Sequence, residues 1–305
     1  MSAEAGTPVL GSSHRVLRSG RGIGGFVERL VRTKPLGAAG GAVFLLFLVL
    51  GLLSPWLAPY GINETDLGAR LEGPSTDHLL GTDQLGRDLL SRLLFGARLT
   101  MAVAFLAAGL STLVSVGLGL LSGYFGGLVD QSVQRVVDAW MVFPDIVLLI
   151  GVISVVGPGA TQIVILLGLL YGISGSRIVR GAVVSVREQP YIQAARTLGA
   201  GPTRVVLRHV LPNIMPVIIV LFTTRLGAVV LAEASLAFLG LGVPPPAPSW
   251  GGMLSGSERM YMYLNGWLAL LPGLCITIVV FSINLFGDAL RDLLDPRQRG
   301  RGATR

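Results

Sequence analysis

Lysine occurs once in this chain, at Lys34, cysteine once, at Cys275, and histidine three times, at His14, His78 and His209. Each scarcity excludes a chemistry. A lone cysteine inside an apolar run forms no intrachain disulfide and no cysteine-rich metal site. The histidines are too scattered to suggest a metal site. A phosphate-binding P-loop needs Gly-Lys-Ser/Thr, and Lys34 is followed by Pro35, so the chain cannot hydrolyse ATP by that route. No Gly-x-Ser-x-Gly nucleophile elbow occurs either. Charge is scarce as well, at 13% of 305 residues, against roughly a quarter in soluble domains.

What fills the chain instead is apolar: 51% of residues are hydrophobic and the mean hydropathy is +0.69. Apolar runs of about 17 to 25 residues recur, each long enough to cross a hydrocarbon core of about 30 Å as a helix. They predict an all-α, polytopic membrane protein with about six spans, over 37–58, 99–121, 139–156, 162–178, 214–240 and 267–286. The first is longer than a signal-peptide core and reads as an uncleaved span. The third is short and contains Pro144 and Asp145. The fourth thins into Ser174, Gly175, Ser176 and Arg177.

The net charge of +7 is almost wholly arginine, and its distribution separates nucleic acid from topology. With six spans, one side collects the basic residues of the N-terminal tail, then Arg135, then Arg177, Arg180, Arg187, Arg196, Arg204 and Arg208, then Arg291 and the C-terminal arginines. The other side holds Arg70, Arg87, Arg92, Arg98 and Arg259. Basic residues favour the cytoplasmic side, so both termini are expected in the cytoplasm of a multi-pass plasma (inner) membrane protein. The charge then needs no nucleic acid. The organisation expected is a basic cytoplasmic tail (1–36), a first span with an outer loop (37–98), a core of five further spans (99–290) containing a cytoplasmic loop (187–213), and a cytoplasmic C-terminal tail (291–305). Glycines four apart at Gly37 and Gly41, Gly119 and Gly123, and Gly168 and Gly172 let helix backbones approach closely, within one subunit or at a subunit interface.

Several stretches stand out. LGTDQLGRDLLSRLLFGARL (80–99) reads as an amphipathic helix leading into the second span, with leucines on one face, Arg87, Asp88, Ser91 and Arg92 on the other, and Asp88 and Arg92 spaced for an ion pair. It is expected to lie on the outer membrane surface. REQPYIQAARTLGAGPTRVVLRHVLPN (187–213) predicts two short helices: Pro190 suits a first turn, Gly199 a left-handed helix end, Pro202 a second start, and Pro212 restricts the exit. Its mixed surface of Tyr191, Ala194, Ala195, Leu198 and arginines suits docking of a partner or of anionic lipid. In the fifth span Arg225 falls near the bilayer middle, where an ionisable residue marks a pathway or a pair. Glu233, about two turns on, reaches it only through bending or water. In the loop VPPPAPSWGGML, Trp250 reads as an interface anchor, and the loop as a docking surface for an extracytoplasmic protein.

The 187–213 loop resembles the EAA loop of binding-protein-dependent ABC importer permeases. Gln193, Ala194, Ala195 and Gly199 stand at its signature positions and His209, Leu211, Pro212 and Asn213 follow. Gln193 replaces the usual glutamate. The stretch from Leu80, AEASLAFLGLGVPPPAPSWGGML from Ala232 and NLFGDALRDLLDPR from Asn284 narrow the resemblance to the dipeptide, oligopeptide and nickel importers, in particular the C-type permease that pairs with a B-type permease. That resemblance implies a type I importer transmembrane domain that does no covalent chemistry and carries no cofactor or metal. It implies a second permease, two ATPase subunits that hold ATP and Mg and receive the loop at Tyr191, Gln193, Ala194, Ala195, Leu198 and Gly199, a substrate-binding protein, and Arg225 and Glu233 on a translocation path. A stand-alone secondary transporter or channel is the rival reading. It would need more intramembrane charge and inverted repeats of its own.

Overall fold

A computed structural model describes residues 23–255 and 258–294; the expected N-terminal and C-terminal tails lie mostly outside them. Among the described residues the regular structure is helical. An amphipathic helix, α1 (Ile23–Thr33), buries Leu30 and precedes the apolar α2 (Pro35–Leu52) and one further turn, α3 (Ser54–Leu57). Residues 58–88 form an irregular cap. Then come α4 (Leu89–Phe125), α5 (Gly127–Met141), α6 (Asp145–Val156) and α7 (Ala160–Arg187). Next are the short α8 (Pro190–Thr197) and α9 (Pro202–Val205), then α10 (Leu211–Phe238), a second irregular segment containing α11 (Glu258–Tyr261), and α12 (Trp267–Leu294).

Five of these units are long and apolar enough to cross a membrane: α2, α4, α7, the run from α9 through α10, and α12. The expected third span is a bent pair, with α5 and α6 meeting at 84°. Pro144 explains the break. It disfavours helical geometry at Phe143 and gives up a backbone donor, so the chain turns and restarts at Asp145.

The core of the bundle is the parallel contact of α4 with α7, and the glycines make it close. A Cβ on Gly119 of α4 would meet Val179 Cβ of α7 at 2.6 Å, and one on Gly172 of α7 would meet Val114 Cβ of α4 at 2.6 Å. The small residues thus alternate sides, each seating a β-branched residue of its neighbour. Gly41 of α2 likewise sits against Phe286 of α12, where a Cβ would lie 2.8 Å from the ring. The spaced glycines therefore serve packing within the chain.

Two sequence expectations are corrected here. Residues 80–88 are not helical; α4 starts at Leu89, with Asp88 capping it by accepting from the Ser91 amide at 2.8 Å. The charged set does not face solvent. Asp83, Arg87, Asp88 and Arg92 are all buried, with Arg87 Nε donating to Asp83 at 2.6 Å and His78 Nδ1 lying 3.2 Å from Asp88. A helical wheel cannot foresee this, because the 58–88 cap folds over the polar side. Trp250 is corrected in the same way. It is fully buried, donating from its indole to the Leu93 carbonyl at 3.0 Å in the space that Gly96 leaves open. It pins the 239–255 segment onto α4 rather than anchoring at an interface.

Candidate functional site

The 187–213 segment protrudes from one end of the bundle on α8. Pro190 sits in the first turn, and Ile192, fully buried, is the residue that fixes the helix. It inserts into a small core made by Tyr124, Val179, Val183, Val205, Val210 and Ile214. Two arginines reinforce the seat: Arg187 Nη1 donates to the Tyr124 carbonyl at 3.2 Å, and the Arg196 guanidinium lies 4.9 Å from the Tyr124 ring centre. With Ile192 facing in, Tyr191, Gln193, Ala194 and Leu198 face out, Leu198 being 88% exposed. Ala195 is half-buried. The sequence reading missed Ile192, although a single large aliphatic residue in a short helix is the pattern of a one-point anchor.

The end of α8 is a Schellman closure. The Gly199 amide donates to Arg196 O at 2.9 Å and the Ala200 amide to Ala195 O at 3.0 Å, with Gly199 at φ +85°. A Cβ on Gly199 would touch nothing within 4 Å, so the demand for glycine is conformational. The expected second short helix is not separate. From Pro202 the chain runs through α9 and a π turn at Val206–Val210 directly into α10, the Leu211 amide reaching back to Val206 O. Pro212, just beyond, lacks an amide donor and crowds the preceding turn, which accounts for the wider winding.

The two intramembrane charges are not brought together. Glu233 is 1% exposed, near the other end of α10. Neither carboxylate oxygen has a hydrogen-bond partner, and the Ser249 side chain is its polar neighbour. Arg225, midway along α10, lies instead over the ring of Tyr171 of α7 at 5.0 Å, and α6, which Asp145 opens, packs against both α7 and α10.

Asp145 ends a series. Along α5 and into α6, Asp130 pairs with Arg180 (Arg180 Nε to the carboxylate, 2.6 Å) and Asp138 pairs with Arg177. The sequence reading ended the fourth span at Ile178 and counted Arg177 and Arg180 with the cytoplasmic charges, whereas α7 continues past both to Arg187. Their side chains are held by α5, and a hydropathy pattern does not show such lateral pairing.

The family model described as binding-protein-dependent transport system inner membrane component matches residues 115–300. A second, the N-terminal transmembrane domain of oligopeptide transport permease C, matches residues 28–74. The chain is 36% identical to the dipeptide transport system permease protein of Alkalihalophilus pseudofirmus, over 88% of each chain. It is 40% identical to the di/tripeptide transport system permease protein of Pseudomonas aeruginosa, over 86% of this chain and 88% of the relative. The corresponding glutathione transport permease of Pectobacterium atrosepticum is 37% identical, over 89% and 90%. Among solved structures, an inward-facing methionine ABC transporter aligns with a TM-score of 0.55 at 21% identity, over 67% of this chain and 96% of that chain, a likeness of fold.

Proposed function

The chain belongs to the binding-protein-dependent transport system inner membrane component family, and from that premise we propose that it forms, with a second permease, the translocation path for short peptides or a closely related solute. ATP and Mg are held by two partner ATPase subunits, and a substrate-binding protein delivers the cargo. The relatives' transport of dipeptides, tripeptides and glutathione supports that cargo class.

The observation that carries the reading is α8. A short helix fixed to the chain's own core at one residue, closed by glycine and presenting Tyr191, Gln193, Ala194 and Leu198 outward is a projecting part whose outer face packs on nothing described in the chain. In the proposed mechanism it is the part that the ATPase subunits push. Its connections suit that task. On one side α8 follows α7 across the short break at Glu188 and Gln189, and on the other the π turn leads into α10, so displacement of α8 reaches two spans at once. The chain supplies no covalent step; its work is a shift between inward and outward access driven by partner binding.

The same reading places both termini and α8 in the cytoplasm, and the 58–88 and 239–266 segments outside. Arg225 belongs to the path; Glu233, buried beside the Ser249 side chain, braces α10 against the 239–255 segment.

The test is a single cysteine at Ala194, with Cys275 replaced by serine, in the complex co-expressed with its ATPase and second permease. Disulfide crosslinking to cysteines introduced around the ATPase surface should succeed, and its efficiency should change when ATP is trapped. Absence of any crosslink from an assembled, transporting complex would remove α8 from the coupling role.

A further inference from the structure

The three acids of α5 and α6 climb from the α8 end toward the middle of the bundle, each with an arginine opposite. Two of the steps are closed: Asp130 with Arg180 and Asp138 with Arg177. The third, Asp145 with Arg225, is open. No ion pair or hydrogen bond joins Arg225 to any described residue, and its Nε is buried without a partner. The guanidinium is nonetheless held in place. The Tyr171 ring backs one face of it, and it reaches Gly175 of the same helix, α7, where an added Cβ would stand 3.4 Å from Nη2. A guanidinium stacked on a ring keeps its planar fork of donors available for a carboxylate.

Asp145 is the opposite case, exposed, with exposed Val142, Phe143 and Val147 about it. Arg225 and Tyr171 both lie near the middle of their helices, and α6, which Asp145 opens, packs against both of those helices, which puts this carboxylate toward mid-depth, where contact with lipid is costly. Its face therefore belongs to the water-filled path or to the second permease. A fixed cation and a fixed anion on helices packed against one another, but not paired, are complementary to a solute with one charge of each sign.

Resting on the short-peptide reading above, we propose that Asp145 and Arg225 flank a solute position on the translocation path, where Arg225 takes the free carboxylate of a short peptide and Asp145 its free ammonium. Tyr171 is the positioning residue that seats the guanidinium. Selectivity is then exerted a second time inside the membrane, after the binding protein has released its cargo, and it reads both peptide termini rather than the side chains.

The experiment uses the complete complex of two permeases and ATPase subunits. Saturable binding of tritiated trialanine is measured by scintillation proximity without the binding protein, with trialanine amide and N-acetyl-trialanine as competitors. Uptake of trialanine into proteoliposomes is measured in parallel with the binding protein present. In the unmodified complex both blocked peptides should compete at least about tenfold more weakly than trialanine, the loss expected for one charge-assisted hydrogen bond. Arg225→Gln should erase the discrimination against the amide only, and Asp145→Asn that against the acetylated peptide only, while Arg225→Lys restores part of it. Tyr171→Leu should weaken binding of trialanine without changing which blocked peptide is rejected. Uptake without saturable binding, or equal competition by the blocked peptides in the unmodified complex, overturns the proposal while leaving the importer reading intact; the latter result needs no variant to fold. Neither binding nor uptake of trialanine by an assembled complex overturns the peptide reading and this inference with it.

Discussion

At the scale of single residues, Gly199 and Ile192 decide whether α8 is presented at all. The φ of +85° at Gly199 costs a residue with a β-carbon about 1–2 kcal/mol, and more when it is β-branched. We predict that Gly199→Val unwinds the last turn of α8 and either releases the ATPase subunits or uncouples hydrolysis from uptake, whereas Gly199→Asn, which tolerates that geometry, retains both. ATPase retention, substrate-stimulated hydrolysis and transport should be measured together; normal values of all three for the valine variant would detach α8 from coupling. Ile192→Ala acts on the opposite face. Removing a fully buried side chain from the small core around Tyr124 should cost about 2–5 kcal/mol locally. The expected outcome is a folded permease whose α8 segment is cut by protease far faster than in the unmodified protein. Unchanged proteolysis would show that Tyr124 and the arginines hold the helix without it.

At the scale of elements, the α4–α7 contact separates two glycines of one helix by what stands opposite them. Gly119 is closed by Val179, while Gly117 has nothing within 4 Å. Gly119→Ala is expected to lower the melting temperature of the solubilised complex, because the added carbon forces two backbones apart at a cost of about 1–3 kcal/mol. Gly117→Ala should leave it unchanged or slightly raised through helix propensity. Equal melting temperatures for the two would mean that the helices are not in close contact in the assembled complex. The elements also show where sequence was enough. Six apolar runs, the start of α8 at Pro190 and its end at Gly199 were legible, because hydropathy, proline and positive-φ glycine act locally. The buried charges at 83–92, the plug at Trp250 and the open step at Asp145 were not. Each depends on what a distant segment covers or fails to cover, and neither spacing nor periodicity carries that information.

At the scale of the whole molecule, the alternation of spans gives a topology that labelling can test. Cysteines placed singly at Ser12, Thr203 and Thr304, with Cys275→Ser, should resist an impermeant thiol reagent applied outside intact cells and react once the membrane is opened. Labelling of Thr203 from outside would invert the assignment of α8 and with it the proposed mechanism. One feature of the isolated subunit also bears on how cells keep it in stock. On the placement proposed above, the exposed carboxylate of Asp145 faces a column of water or a second permease, but in an orphan chain it would face acyl chains, an arrangement that costs several kcal/mol. The same side chain therefore marks a chain made without its mate. Synthesised alone, this permease should be cleared by membrane proteases, and its abundance should follow that of its mate rather than its own rate of synthesis.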